Sequence, residues 1–261
     1  GYRYLQNASA YPDDPAPRDL VCGGGDSADK FREKCDELGV HLLPSHFSIP
    51  TFSAEAAHEI CKAQKDIGVG GIILPSAFAH TKEEIQGVCD MCNSFGEICR
   101  EEGMSFFYHN HAHEWQPLED GTFFDQLMAG TDPQLVKLEL DTYWAMRGGA
   151  DPIEIMRRMG SRCTLLHQKD FPKGHDDELV IKAFQDGSAV IDRQLFRAQA
   201  NPALFTEIGT GIIDIQAIID TAEDLGCYDA IILEQDQTAL DEIESITISM
   251  ESFKKYRNIE F

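Results

Sequence analysis

Short runs of apolar residues alternate along the chain with longer stretches whose apolar positions recur every three or four residues. Seven of the short runs read as strands: residues 2–8, 40–46, 71–75, 105–111, 136–141, 164–169 and 230–235. The stretches between them carry helix punctuation. Ser53 caps one helix, with Ala54, Ala57, Ile60, Cys61 and Ala63 along one face until Gly68. Thr81, with Glu84 three residues on, forms a capping box for a second helix that Gly103 closes, and Asp151-Pro152 opens a third. Asp26 or Ser27 starts a helix to Leu38, and further helices are expected over 122–129, 213–225 and 241–256. Residues 9–25, rich in Pro, Asp and Gly, read as loop. A second long connection, 171–211, contains a helix-like piece at 194–200. Such an insertion on an α/β scaffold serves as a lid, a specificity element or a partner contact.

Strands that alternate with helices build parallel βα units, and the apolar run 71–75 has the composition of a strand covered on both faces. No linker or second core interrupts the pattern, so one domain over 1–261 is expected. The fold class is α/β, a (β/α)8 TIM barrel. Seven strands are one short of the eight that this barrel requires, and the first begins abruptly, so the first βα unit is expected to be missing from this sequence.

Composition narrows the partners. The chain of 261 residues carries 45 acidic against 22 basic side chains, a formal charge of −23 that repels polyanions, and it has no Lys/Arg-rich run. Nucleic acid is therefore not an expected partner. No apolar run approaches the roughly 20 residues of a membrane-spanning helix, so a cytoplasmic enzyme without membrane contact is expected. The eight cysteines fall mostly within helices or beside apolar strands, where they act as small buried hydrophobes; Cys89-x-x-Cys92 lies in a helix and has no second C-x-x-C to complete a metal site.

The chemistry concentrates at strand ends. Residues 106–114 hold three imidazoles and a carboxylate, His109, His111, His113 and Glu114, and later strands end in Leu-Asp (140–141), His-Gln-Lys-Asp (167–170) and Glu-Gln-Asp (234–236). Side chains alternate along a strand, so His109 and His111 share a face, as do Glu139 and Asp141, His167 and Lys169, and Glu234 and Asp236. All would point into the mouth of a barrel at the C-terminal ends of its strands. Glu114 to Asp141 is 27 residues and Asp141 to His167 is 26, near the roughly 30 of one βα unit. Glu114, Asp141, His167 and Glu234 thus offer three carboxylates and one imidazole. That donor set suits one divalent ion, Mn²⁺ first, with Mg²⁺, Co²⁺ or Zn²⁺ as alternatives. Gly209-Thr-Gly211 reads as a tight turn ahead of a helix, since no basic neighbour accompanies it; with the acidic charge, this points to a neutral sugar, keto-sugar or cyclitol rather than a sugar phosphate.

Five motifs in order carry a resemblance over nearly the whole chain: Tyr-His-Asn-His-x-x-Glu (108–114), Leu-Asp-x-Tyr-Trp with Gly-Gly-Ala-Asp-Pro (140–152), His-x-Lys-Asp (167–170), Gly-x-Gly-x-x-Asp (209–214) and Glu-Gln-Asp (234–236). Together the sequence resembles the xylose isomerase-like TIM-barrel superfamily of sugar isomerases and epimerases. The resemblance implies one divalent ion held by Asp141, His167, Glu234 and a fourth ligand, taken as Glu114 with His109 as the alternative. It implies proton abstraction beside a sugar carbonyl, with His109, His111 or a carboxylate as base and Lys169 stabilising the oxyanion. Substrate contacts are expected from His46, Trp115, Trp144 and Asp236. The resulting enediolate can be reprotonated by an isomerase or epimerase, or can expel a hydroxyl, as in the similar inosose dehydratases. It can also expel a larger group, as in the C-glycoside deglycosidases that act on 3-oxo-glycosides with a second subunit. A homo-oligomer or a hetero-oligomer docked at 171–211 is compatible with these readings. The related abasic-site endonucleases need more ligands and a cationic face, and a non-catalytic sugar-binding barrel would bind without turnover.

Overall fold

A computed structural model of the chain describes residues 1–10, 28–48, 52–199 and 201–260. Among these residues seven strands form one sheet in strict chain order: β1 (Ala8–Ala10), β2 (Ser45–Ser48), β3 (Gly71–Leu74), β4 (Ser105–His109), β5 (Val136–Asp141), β6 (Cys163–Gln168) and β7 (Ala230–Leu233). Every neighbouring pair is parallel, as the alternation with helices requires. The sheet curls back on itself. His46 on β2 stacks on His167 on β6 with ring centroids 5.0 Å apart, although four strand spacings of about 4.8 Å in a flat sheet would hold them far out of contact. Among the described residues no pairing joins β1 to β7, so these two are the edges of the sheet.

The first two expected strands are each split. Residues Tyr4–Leu5 pair with His41–Leu42 in a separate ladder, and the chain then passes Pro44, which has no N–H, before β2 pairs with β1. The expected cap at 26 or 27 and most of the loop 9–25 lie outside the described residues.

Helices α1 (Ala28–Leu38), α2 (Ala54–Asp66), α3 (Lys82–Glu101), α4 (Phe123–Gly130), α6 (Pro152–Met159), α7 (Arg193–Ala198), α8 (Ile215–Leu225) and α9 (Glu242–Phe253) follow the helical stretches of the sequence, and a short further helix, α5 (Thr142–Arg147), follows directly on β5 where no helix is expected. Ser53 caps α2, and Thr81 and Glu84 exchange both bonds of a capping box at α3. Thr122 and Asp125 form a second capping box at the start of α4. Cys89 and Cys92 are buried in α3, and burial raises both thiols above their ordinary pKa, which leaves them inert packing groups.

Strand parity sorts the core into two parts. Leu138, Leu140 and Leu166 join the large cluster under the helices, while Ile73, Phe107 and Leu165, with Ala230 and Ile232 against them, form a small separate cluster on the other face. Two residues further along the same inward face stand His109, His167 and Glu234. An apolar layer therefore floors a polar one.

The insertion packs onto the C-terminal ends of the strands rather than standing free. Ile181, Phe184, Ile191, Leu204 and Phe205 are buried, Tyr143 Oη donates to Leu204 O at 2.8 Å, and Ile181 N donates to Arg147 O at 2.9 Å. Its return is pinned by Asp170, whose carboxylate accepts from the backbone N–H groups of Phe171, Gly209, Gly211 and Ile213 at 2.9–3.1 Å. Gly211 lies so close to this carboxylate that a Cβ there would collide with it. The N–H groups of Gly209 and Gly211 that could have faced a phosphate are thus committed to a side chain of the chain itself.

Candidate metal and active site

Seven ionisable side chains converge at the inner C-terminal ends of the strands. Register sets them side by side: His109 on β4 pairs with Glu139 on β5, and Asp141 pairs with His167 on β6. Lys169 and Glu234 follow directly after β6 and β7, and His46 comes from β2. Among the described residues, two overlapping groups have ligand atoms within 4.8 Å of one another, His46, His109, Glu139 and His167, and His109, Asp141, His167 and Glu234.

Two of the central carboxylates, Asp141 and Glu139, divide their oxygens between tasks. Asp141 Oδ1 accepts from Trp144 N at 2.8 Å and so caps α5, which leaves Oδ2 for the site, close to Lys169 Nζ and 3.8 Å from His109 Nε2. Asn110 holds the same strand end, its amide exchanging two bonds with the Asp141 backbone at 3.0 and 3.1 Å. Glu139 Oε2 meets His46 Nε2 at 2.6 Å and His109 Nδ1 at 3.0 Å, while its Oε1 accepts from Gln6 Nε2 at 2.6 Å. Glu234 Oε2 meets His167 Nδ1 at 2.8 Å and Lys169 Nζ at 2.5 Å.

Protonation follows from burial set against these neighbours. Burial dominates at His109 and lowers its pKa to about 3 despite the bond to Glu139, so the ring is neutral and one nitrogen keeps a lone pair. At His167 burial also lowers the pKa, but Glu139 and Glu234 together overcome it and raise the value to about 9. At Lys169 burial is opposed by Asp141, Asp236 and Glu234, which hold the ammonium well above the ordinary lysine range. His167 and Lys169 therefore carry the charge that balances the carboxylates, and a divalent ion among the same donors could replace the His167 proton. A neutral imidazole has one lone pair. His109 and His167 turn different nitrogens toward the two groups, so one cation can be served fully and two cannot.

Glu114 sits apart from both groups. It is fully buried, accepts from Tyr108 Oη at 2.8 Å and His111 N at 2.9 Å, and lies 3.3 Å from His113 Nδ1. His113 gives its Nε2 proton to Ala77 O at 2.8 Å, so Nδ1 carries a lone pair toward Glu114. A protonated Glu114 can donate there. Burial pushes its carboxyl up to about 8 from the ordinary 4.5. The native chain then keeps a proton that the unfolded chain releases above about pH 4.5, so stability falls as pH rises to about 8, by at most about 1.4 kcal/mol per pH unit. In chelator-treated protein, urea unfolding from pH 4.5 to 8 should show this slope and a flatter one in Glu114→Gln. Parallel profiles would contradict a buried neutral acid.

The remaining candidates divide the same way. His111 is half-buried beside His109, ring centroids 5.0 Å apart, with Nδ1 making no hydrogen bond; burial and the neighbouring His109 and His113 hold its pKa well below the ordinary range. Trp144 stands 5.7 Å from His111, its indole nitrogen also buried without a partner. Asp236 reaches Lys169 at 3.5 Å. Trp115 stacks on Phe124 at 4.7 Å and belongs to the core packing on α4.

A family model described as the xylose isomerase-like TIM barrel matches residues 1–256. The chain belongs to that family. Among curated relatives, an inosose dehydratase of Geobacillus kaustophilus is 34% identical over 158 residues, 60% of this chain and 47% of the relative. One of Lacticaseibacillus casei is 29% identical over 188 residues, 70% of this chain and 59% of the relative. The chain spans about half to three fifths of the length of these relatives. Among solved structures, a sugar phosphate isomerase/epimerase from Parabacteroides distasonis superposes with a TM-score of 0.77 at 20% identity, covering 100% of this chain and 89% of that one. The IolI protein with a bound zinc atom superposes with a TM-score of 0.66 at 16% identity, covering 97% and 87%. These two likenesses speak for the barrel fold alone.

Three residues near the centre escape a reading by strand ends. Glu139 touches three imidazoles, and parity had already placed it on the inner face two residues before Asp141. Gln6 reaches both Glu139 and His167 from the N-terminal segment, with no motif to mark it. Phe196 on α7 meets His111 at 5.0 Å and Trp144 at 5.5 Å, a contact made by the insertion that no local pattern announces.

Proposed function

We propose that this chain is the core of a divalent-metal-dependent enzyme that removes a proton next to the carbonyl of a neutral cyclitol ketone or keto-sugar. The observation that carries the reading is the group of buried His109, Asp141 and His167 with partly buried Glu234, whose donor atoms lie within 4.8 Å of one another at the ends of strands. We take these four as the ligands, with His109 in the place first given to Glu114. This group offers two carboxylates where the His46 group offers one, and it leaves Glu139 to hold His109 by Nδ1. Mn²⁺ is the ion proposed, with Zn²⁺ as the alternative that the zinc of IolI favours. Such an ion supplies Lewis-acid polarisation of a bound carbonyl.

The chain's own residues supply the rest. His111 is neutral, and its unpartnered Nδ1 is the group best placed to accept the carbon-bound proton. Lys169 stays cationic under three carboxylates, so it serves as a donor to developing negative oxygen and not as a base. Trp144 and Phe196 form an aromatic wall beside His111 suited to the C–H face of a polyhydroxylated ring. The committed N–H groups of Gly209 and Gly211 argue against a phosphate at that turn. Loss of water from an inosose-type ketone is the outcome favoured by the inosose dehydratases among the relatives; reprotonation, as in an isomerase or epimerase, shares the same first step.

The test is incubation of Mn²⁺-loaded protein with an inositol ketone and a panel of neutral ketoses in D₂O. Solvent deuterium should enter the position beside the carbonyl, with an enone product if elimination follows. Absence of both from every ketone would end the proton-abstraction reading.

A further inference from the structure

The two imidazoles among the proposed ligands can each face an ion through only one nitrogen, and something must choose which. For His109 the choice belongs to Glu139, which accepts from Nδ1 at 3.0 Å and leaves Nε2 toward Asp141. His167 has its Nδ1 2.8 Å from Glu234 and its Nε2 against Gln6 Oε1.

We propose that Gln6 is a positioning residue for the metal site: its amide fixes His167 with Nε2 protonated and Nδ1 turned toward the ion, and at the same time anchors Glu139. This inference rests on the four-ligand reading above. The amide can lie only one way round. Glu139 accepts bonds from His46 and His109 on Oε2, so its Oε1, 2.6 Å from Gln6, calls for the NH₂ end. The oxygen then faces His167 Nε2 and demands a proton there. One side chain thereby sets both rings, His167 directly and His109 through Glu139.

The backbone holds Gln6 firmly enough for this task. On either side of it, Leu5 O accepts from Leu43 N and Asn7 O from His46 N, both at 2.9 Å, so the residue is laced to the chain leading into β2. Gln6 also lines a cavity of 710 Å³ with His167 and Glu234 at the edge of β7. A leucine, one atom shorter and without polar atoms, fits in the space that Gln6 occupies, so Gln6→Leu removes both hydrogen bonds without overpacking. Glutamate would instead set a second carboxylate against Glu139.

The experiment is a Zn²⁺ titration of wild type, Gln6→Leu and Gln6→Glu against a chromophoric chelator, with thermal unfolding of the metal-free forms followed alongside. Histidine ¹⁵N shifts of the Zn²⁺-loaded wild type are recorded as well. Loss of an outer partner of a metal-bound imidazole predicts roughly 10- to 100-fold weaker binding by Gln6→Leu. The spectrum should show His167 protonated at Nε2 and bound through Nδ1. Binding by Gln6→Leu within twofold of wild type, or a His167 bound through Nε2 in the unmutated protein, would overturn the proposal. The spectrum answers even if the variants do not fold. Wild type that takes up no divalent ion would instead remove the metal reading itself.

Discussion

His109→Ala is expected to bind Mn²⁺ or Zn²⁺ at least about 100-fold more weakly than wild type, while Glu114→Gln retains affinity within a few-fold; removal of even an outer partner costs about 10- to 100-fold, and a direct ligand costs more. The contrast follows from where the two side chains sit. His109 Nε2 lies 3.8 Å from Asp141 Oδ2, and its other nitrogen is held by Glu139. Glu114 spends its oxygens on Tyr108 and His111 N, and faces His113. Equilibrium dialysis with elemental analysis reads the result directly, and circular dichroism checks that each variant is folded. A metal-free Glu114→Gln together with a metal-bound His109→Ala would reverse the assignment and restore Glu114 as the first ligand.

Lys169→Met should be the most destabilising single change in the metal-free protein. The ammonium is fully buried between Asp141 and Glu234, with Asp236 at 3.5 Å. Removing one partner of a buried ion pair leaves uncompensated charge and costs about 3–5 kcal/mol, far more than the pair contributes over an apolar replacement. Urea unfolding in the presence of a chelator should show that loss. Saturating Mn²⁺ should return a large part of it, because the ion supplies positive charge to the same carboxylates. Deuterium incorporation in the metal-loaded variant should still fall by about 10²–10³, the effect of losing one oxyanion donor. A variant as stable as wild type without metal would mean that Lys169 does not hold these carboxylates together.

These expectations draw on features that differ in how openly the sequence displays them. Strand and helix positions were legible because they rest on local periodicity and caps: Ser53 and Thr81 cap where the residue pattern places them, and the insertion's helix lies within one or two residues of its expected bounds. The strand-end residues Asp141, His167, Lys169 and Glu234 were legible for a related reason. Alternation along a strand is a property of the backbone, so one inward residue locates the next. The breaks that split the first two strands leave no mark in the apolar pattern, because they arise from pairing with different neighbours.

By itself the sequence determined the parallel order of the strands, the inward face of each and the polar layer at their ends, since all three follow from local periodicity repeated along the chain. Only the tertiary structure decided which of these side chains meet. Residues 109 and 114 are close in sequence, yet a turn after β4 sends Glu114 into a separate buried pocket with Tyr108 and His113. Gln6 and His167 are 161 residues apart and touch because the curled sheet brings the N-terminal segment across to β6. Contact across a barrel depends on the closing curvature of the whole sheet, and no window of residues encodes that curvature.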